Sequence, residues 1–195
     1  MTTTAADILD FWFDRPGSAA RGEPLTPRQC WWRKDDAFDA EIRTRFGAAV
    51  ETALQGGFAG WADDADGTLA LLILLDQFPR NIFRDTARAF AGDAQARSVA
   101  RGAIDRGFDI VVAPVQRQFF YMPFQHSEDL ADQEFGMLLF AALEKDLPGQ
   151  KTFEFAERHR VIIAQFGRFP HRNAALGRDS TPEETEFLRQ PGSSF

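Results

Sequence analysis

A chain of 195 residues with 44% hydrophobic and 13% aromatic side chains has apolar volume for one packed core, and we expect a single helical domain over 1–195. Twenty-two basic residues against 29 acidic ones leave a net charge of −7, which opposes binding to a polyphosphate surface, and no polybasic run offsets it. The lone Cys30 excludes an intrachain disulfide, and the longest apolar run, 69–75, falls far short of the roughly 18 residues that a bilayer span needs.

The apolar stretch 8–13 has Asp7 and Asp10 where an export signal would be basic, so a cytoplasmic chain with no nucleic-acid or membrane partner is expected. The breaker-rich stretch 15–27 reads as a linker, not a domain boundary. Cys30, beside Trp31 and Trp32, reads as a small buried hydrophobe. Phe38, Ile42, Phe46, Val50 and Leu54 recur every four residues, which describes one face of a helix capped by Asp35 or Asp36 and stopped at Gly56-Gly57. Residues 69–78 are apolar on every face and predict a central helix surrounded by others.

Ala96, Val99, Ala100, Ala103 and Ile104 form a second stripe, with Asp93 as its cap and Gly107 past its end. The short run Ile110-Val111-Val112 resembles a strand but cannot make a sheet. Leu130, Met137, Leu138 and Ala141 predict a helix capped by Ser127 and broken by Pro148-Gly149, and Phe155, Ile162, Ile163 and Phe166 predict another ending at Gly167. Thr181-Pro182-Glu183-Glu184 has the hydroxyl, proline and glutamate spacing of a helix start. About eight helices packed as antiparallel pairs follow, an all-α fold. The tryptophans Trp12, Trp31, Trp32 and Trp61 are expected in the core and not in a pocket.

Two distant blocks carry nearly the same text, Asp76-Gln77-Phe78-Pro79-Arg80-Asn81 and Phe169-Pro170-His171-Arg172-Asn173, and a third polar segment, Gln125-His126-Ser127-Glu128-Asp129, lies between them. Proline disfavours helix in the residue before it, so Phe78-Pro79 and Phe169-Pro170 should both terminate their helices. Arginine and asparagine then have two uses. They can cap the last carbonyls locally, or Arg80 and Arg172, with Arg84 or Arg178, can form a fork for a carboxylate or phosphate.

All three histidines, His126, His159 and His171, fall in or near these segments. Beside a carboxylate such as Glu128 or Asp129, His126 or His171 suits general-base work. No paired-histidine spacing marks a metal site, so no metal or cofactor is assigned. Ser127 precedes Glu128-Asp129 without a glycine-framed elbow and reads as a cap, not a nucleophile.

Taken together with Phe11-Trp12-Phe13, Trp31-Trp32, Met122-Pro123-Phe124, Gly167-Arg168, Leu176-Gly177-Arg178 and Ser180 to Glu184, these strings resemble the bacterial family called domain of unknown function 924. The resemblance implies a tetratricopeptide-like α-α superhelix and no established activity.

The leading expectation is a protein that binds a small anionic ligand or acidic peptide through Arg80, Asn81, His126, Glu128, Arg172, Asn173 and Arg178 in a cleft formed by helix ends. Two alternatives stand beside it. One is a hydrolase or lyase with His126, Glu128 or His171 as catalytic groups, with or without a divalent ion. The other is a non-catalytic scaffold, in which these residues only lock helix ends.

Overall fold

The computed structural model describes residues 2–14 and 25–194; most of the 15–27 linker thus lies outside the described residues. Every regular element among them is helical. Helix α1 (Ala5–Phe13) starts at a reciprocal cap, in which the Asp7 N–H donates to Thr4 Oγ1 and the Thr4 N–H donates to the Asp7 carboxylate at 2.8 Å. Helix α2 (Asp36–Leu54) is capped by Asp35, whose carboxylate accepts from the Ala37 and Phe38 N–H groups, and it buries Phe38, Ile42, Phe46 and Val50 on the expected face.

The central rod is the apolar run the sequence indicates, but it does not stop at the first Phe-Pro pair. Helix α3 (Ala65–Leu72) passes into a π turn (Ile73–Gln77) and continues as α4 (Phe78–Ile82), with Pro79 inside it. Proline supplies no N–H to the carbonyl four residues back and its ring crowds that carbonyl. The wider π turn, in which the Phe78 N–H reaches the Ile73 carbonyl, relieves that crowding and carries the rod past the proline. Helices α1, α2, α5 (Asp93–Asp105) and α6 (Pro114–Gln125) all pack on this rod. Its residues from Leu69 to Leu75 are at most 2% exposed.

The backbone at Gly92 comes close to the rod. A Cβ built there would stand 2.1 Å from the Leu75 carbonyl oxygen, the group left without its usual helical donor by Pro79. Only glycine allows this approach, and it is what seats Asp93 beside the rod. Replacing Gly92 by Ala is expected to destabilise by about 1–3 kcal/mol or more, because backbone must move. Gly102→Ala, on the same helix with nothing within 4 Å of the added carbon, should instead stabilise by about 0.5–1 kcal/mol. Thermal melts of the two variants check the contrast.

Helix α6 is one that periodicity does not reveal, because Pro114 and Pro123 make its segment look like loop. Pro114 sits in the first turn, where no N–H is missed, and Pro123 is carried inside the last turn. Helix α6 packs on α7 (Leu130–Leu143) across a four-residue connection, which makes them an antiparallel pair, and α7 packs on α8 (Thr152–Phe166). Helix α8 ends at Gly167, which takes a left-handed φ of 67°. After a 3-10 turn (Pro170–Arg172), helix α9 (Pro182–Leu188) begins at the expected Thr181 and Glu184 cap.

Several local expectations are corrected. Asp129, not Ser127, caps α7; Ser127 Oγ accepts from the Asp129 N–H and donates to Asp132. Gly92 occupies the cap position of α5, and Asp93 is its first helical residue. On α7, Leu130 and Leu138 are exposed and the buried face is Gln133, Gly136, Phe140 and Leu143, while Phe155 of α8 also faces outward. Cys30 is half-buried and packs against the core edge, and Trp32 is exposed. Trp12, by contrast, is fully enclosed by Trp31, Phe38, Phe78 and Phe119 at ring separations of 5.6–5.8 Å, so it is core. The segment Ile110-Val111-Val112 is a turn, and no strand occurs among the described residues.

Candidate functional site

The π turn adds a residue to the rod and thereby places Asp76 and Gln77 on the inward side. Asp76, 1% exposed, accepts at Oδ1 from two directions: His126 Nδ1 at 2.7 Å and Arg80 Nη1 at 3.1 Å. Gln77 donates to its other oxygen. Arg80 also donates to the Asp76 backbone carbonyl at 2.8 Å and grips Asp93 with both terminal nitrogens, at 2.8 and 3.0 Å. Arg172 reaches the same Asp93 with Nη1 at 3.4 Å. The two arginines of the repeated text therefore meet on one carboxylate, with a second carboxylate behind.

Aromatic rings hold this arrangement. The Arg172 guanidinium carbon lies 4.6 Å from the Phe90 ring centroid and 4.5 Å from that of Phe169, so two rings pack against the group. His159 meets Phe169 edge-on at 5.7 Å and His171 packs on the same ring at 5.5 Å. His159 Nδ1 donates to the Phe155 carbonyl at 2.8 Å, which leaves Nε2 to accept from Gln125 at 3.4 Å. The His126 and His159 rings are 6.3 Å apart. Three histidines and two arginines from four stretches of chain thus share one cluster, whose half-buried rim is Arg80, Phe90, Gln125, His126 and His171.

Electrostatics follow from this burial. Burial works to raise the Asp76 pKa, but Arg80 and then His126 outweigh it and hold the carboxyl below its usual range. All three imidazoles are pushed toward neutrality. Burial lowers His126, aided by Arg80 and opposed by Asp76; burial lowers His159 strongly; burial and then Arg172 bring His171 to about 4. Burial, followed by Arg80, brings Arg172 down to about 10, so it stays charged at neutral pH. Among the described residues, Arg172 Nε is buried without a hydrogen-bond partner, which is uncommon for a charged donor.

The remaining sequence candidates are divided. Glu128 does not polarise an imidazole. It takes both terminal nitrogens of Arg178, at 2.6 and 2.9 Å, and the Phe169 N–H at 2.8 Å, so it anchors the turn that carries Arg172. Burial would raise its pKa, but Arg178 and the Phe169 N–H keep it low. Asn173 accepts from Arg178 and donates to Ser180 and Glu184, which Arg168 also grips. Asn81 lies on the other side of the rod, donating to Asp39 at 2.7 Å beside Arg84. The two asparagines of the repeat therefore do not meet, although the two arginines do.

Asp93 is the residue that sequence reasoning placed wrongly. At a helix start it looks like a cap, and only Gly92 preceding it hints at a tight approach. Among the described residues no group of three or more His, Cys, Asp or Glu is disposed to hold a metal ion. No described helix is long and apolar enough to cross a membrane.

Fold and cluster together define an all-α protein with ion pairs and imidazoles gathered at one end of a π-interrupted central rod. The chain belongs to the bacterial protein family of unknown function DUF924, whose model matches residues 8–192. A solved protein of unknown function from Agrobacterium tumefaciens, ATU0120, is similar at 44% identity, with 95% of this chain and 96% of that one covered and a TM-score of 0.81. Comparison with curated proteins gives no match.

Proposed function

We propose that this chain, as one cytoplasmic helical domain with tetratricopeptide-like helix pairs, binds a small anionic ligand or the acidic end of a peptide at the Arg80, Arg172 and His126 cluster. The observation that carries the reading is Arg172. Its side chain is 7% exposed and packed against Phe90 and Phe169, yet Nε has no acceptor and its nearest carboxylate is a long 3.4 Å away. Asp76 and Asp93 engage both terminal nitrogens of Arg80, whereas Arg172 has a single long contact to Asp93 and a buried Nε without an acceptor. Glu128, Asn173 and Arg178 act as support, since their bonds hold the turn from which Arg172 projects. Asn81 is left out of the site.

The test is a thermal-shift panel of carboxylates and oxyanions at constant ionic strength. A ligand at about 100 times its Kd stabilises by about 2.7 kcal/mol. For a domain of this size that raises Tm by roughly 5–10 °C in the wild type. Arg172→Lys, which keeps the charge but loses the Nε and Nη fork, should abolish the rise. Equal responses from both proteins, or from neither, sink the reading.

A second reading has one observation in its favour. With ionised Asp76 at 2.7 Å, His126 carries its proton on Nδ1 and presents a lone pair at Nε2, the orientation of a general base in a hydrolase or lyase. Nitrogen-15 histidine spectra between pH 6 and 8 test it, because a proton on Nε2 of His126 would leave no base there. The scaffold alternative survives only if both tests fail.

A further inference from the structure

We infer that the anion this site accepts is a singly charged, planar carboxylate, and not a phosphate or sulfate dianion. The inference rests on the anion-binding reading above and narrows it. Three features of the cluster select the class. The first is the donor edge. Arg172 spends Nη1 on Asp93, so the edge it keeps is the side bearing Nε, and a guanidinium side edge matches the two coplanar oxygens of a carboxylate.

The second is shape. Phe90 and Phe169 both pack against that guanidinium, their ring centroids 4.6 and 4.5 Å from its carbon, so an acceptor has to reach the Nε edge past apolar rings. A flat carboxylate needs less width beside such rings than a tetrahedral oxyanion, whose oxygens project out of any one plane.

The third is charge. Two guanidinium groups already face two carboxylates, Asp76 and Asp93, and the pair Glu128 and Arg178 closes on itself. His126, His159 and His171 enter as neutral donors or acceptors. The cluster is thus balanced before any ligand enters, so a monoanion adds one net negative charge, which the hydrogen bond from the spare Nε–H of Arg172 offsets. A second would stand next to Asp93 with no cation to answer it, and burying an unanswered charge is costly.

The experiment is a titration of nitrogen-15 arginine-labelled full-length protein with sodium butyrate, sodium benzoate, inorganic phosphate and sulfate, each against sodium chloride at equal ionic strength. The buried Nε–H resonance of Arg172 is assigned by its absence in Arg172→Lys, or by double labelling of the wild type should that variant not fold. Butyrate or benzoate is expected to move this resonance downfield and to saturate, with phosphate and sulfate at least tenfold weaker. Should phosphate or sulfate saturate the shift at equal or lower concentration, the carboxylate assignment falls and anion binding stands. No saturable shift with any of the four overturns both.

Discussion

Replacing Asp93 by alanine is expected to lower the free energy of unfolding by about 3–5 kcal/mol, the cost of leaving buried charge without its partner. The sequence assigns Asp93 a helix-start role, whose loss costs about 1 kcal/mol. The structure puts its carboxylate between Arg80, bonded at 2.8 and 3.0 Å, and Arg172 at 3.4 Å. Without it the two guanidinium groups face each other beside Asp76 alone. Urea unfolding at pH 7 separates the two roles, since a loss near 1 kcal/mol returns Asp93 to capping. Asp93→Asn, which keeps the shape and one acceptor oxygen but loses the charge and sets an amide N–H against an arginine donor, should fall between wild type and alanine.

Acid should weaken the fold well before its carboxylates titrate. His171 has a native pKa of about 4, while an unfolded chain's histidine titrates near about 6.5. Between those values the unfolded chain binds more protons than the native one, so unfolding becomes easier as pH falls. The stabilisation is fully present above about 6.5 and is gone below about 4, and for His171 it amounts to about 3 kcal/mol at most. His126 and His159, also held low by burial, act in the same direction. Carboxylates held low, Asp76 and Glu184 among them, extend the decline at lower pH, with Glu184 titrating only at about 2. Urea midpoints at pH 7, 6, 5 and 4 should therefore fall steadily, and His171→Asn should flatten the slope. A midpoint that does not change over this range would show that folding does not keep these imidazoles neutral.

Much of the helical frame was legible in residue pattern. The stripe of α2, the small-residue stripe of α5 and the caps at Asp35 and Thr181 are local features, decided by neighbours within one or two turns. The central rod was legible too, because a run apolar on every side has nowhere to go except inside. What misled was proline. Pro79 reads as a stop, yet the π turn lets the chain continue, and Pro123 hides the end of α6. The α7 stripe misled for another reason: Leu138 is apolar but faces outward, whereas Gly136 and Gln133, silent in a hydrophobic pattern, face α6 and its following turn, where Gln133 donates to the Gln125 and Ser127 carbonyls.

The candidate site divides in the same way. Residue types alone indicated that Arg80, Arg172 and His126 carry the polar chemistry, and they are neighbours. The repeat also suggested that Asn81 and Asn173 act together, but one faces Asp39 and the other Arg178. A repeated string shows which side chains are available, and the rotation of the helix beneath decides where each points.

By itself, then, the amino-acid sequence determined that this is a helical chain with one buried rod and that its polar text is concentrated in three segments. Both are consequences of short-range preference and of the aversion of apolar side chains to water. Which carboxylate answers which arginine was decided only in three dimensions. Ion pairs such as Arg172 with Asp93, 79 positions apart, depend on the π turn and on the close seat of Gly92, and neither leaves a periodic trace in the chain.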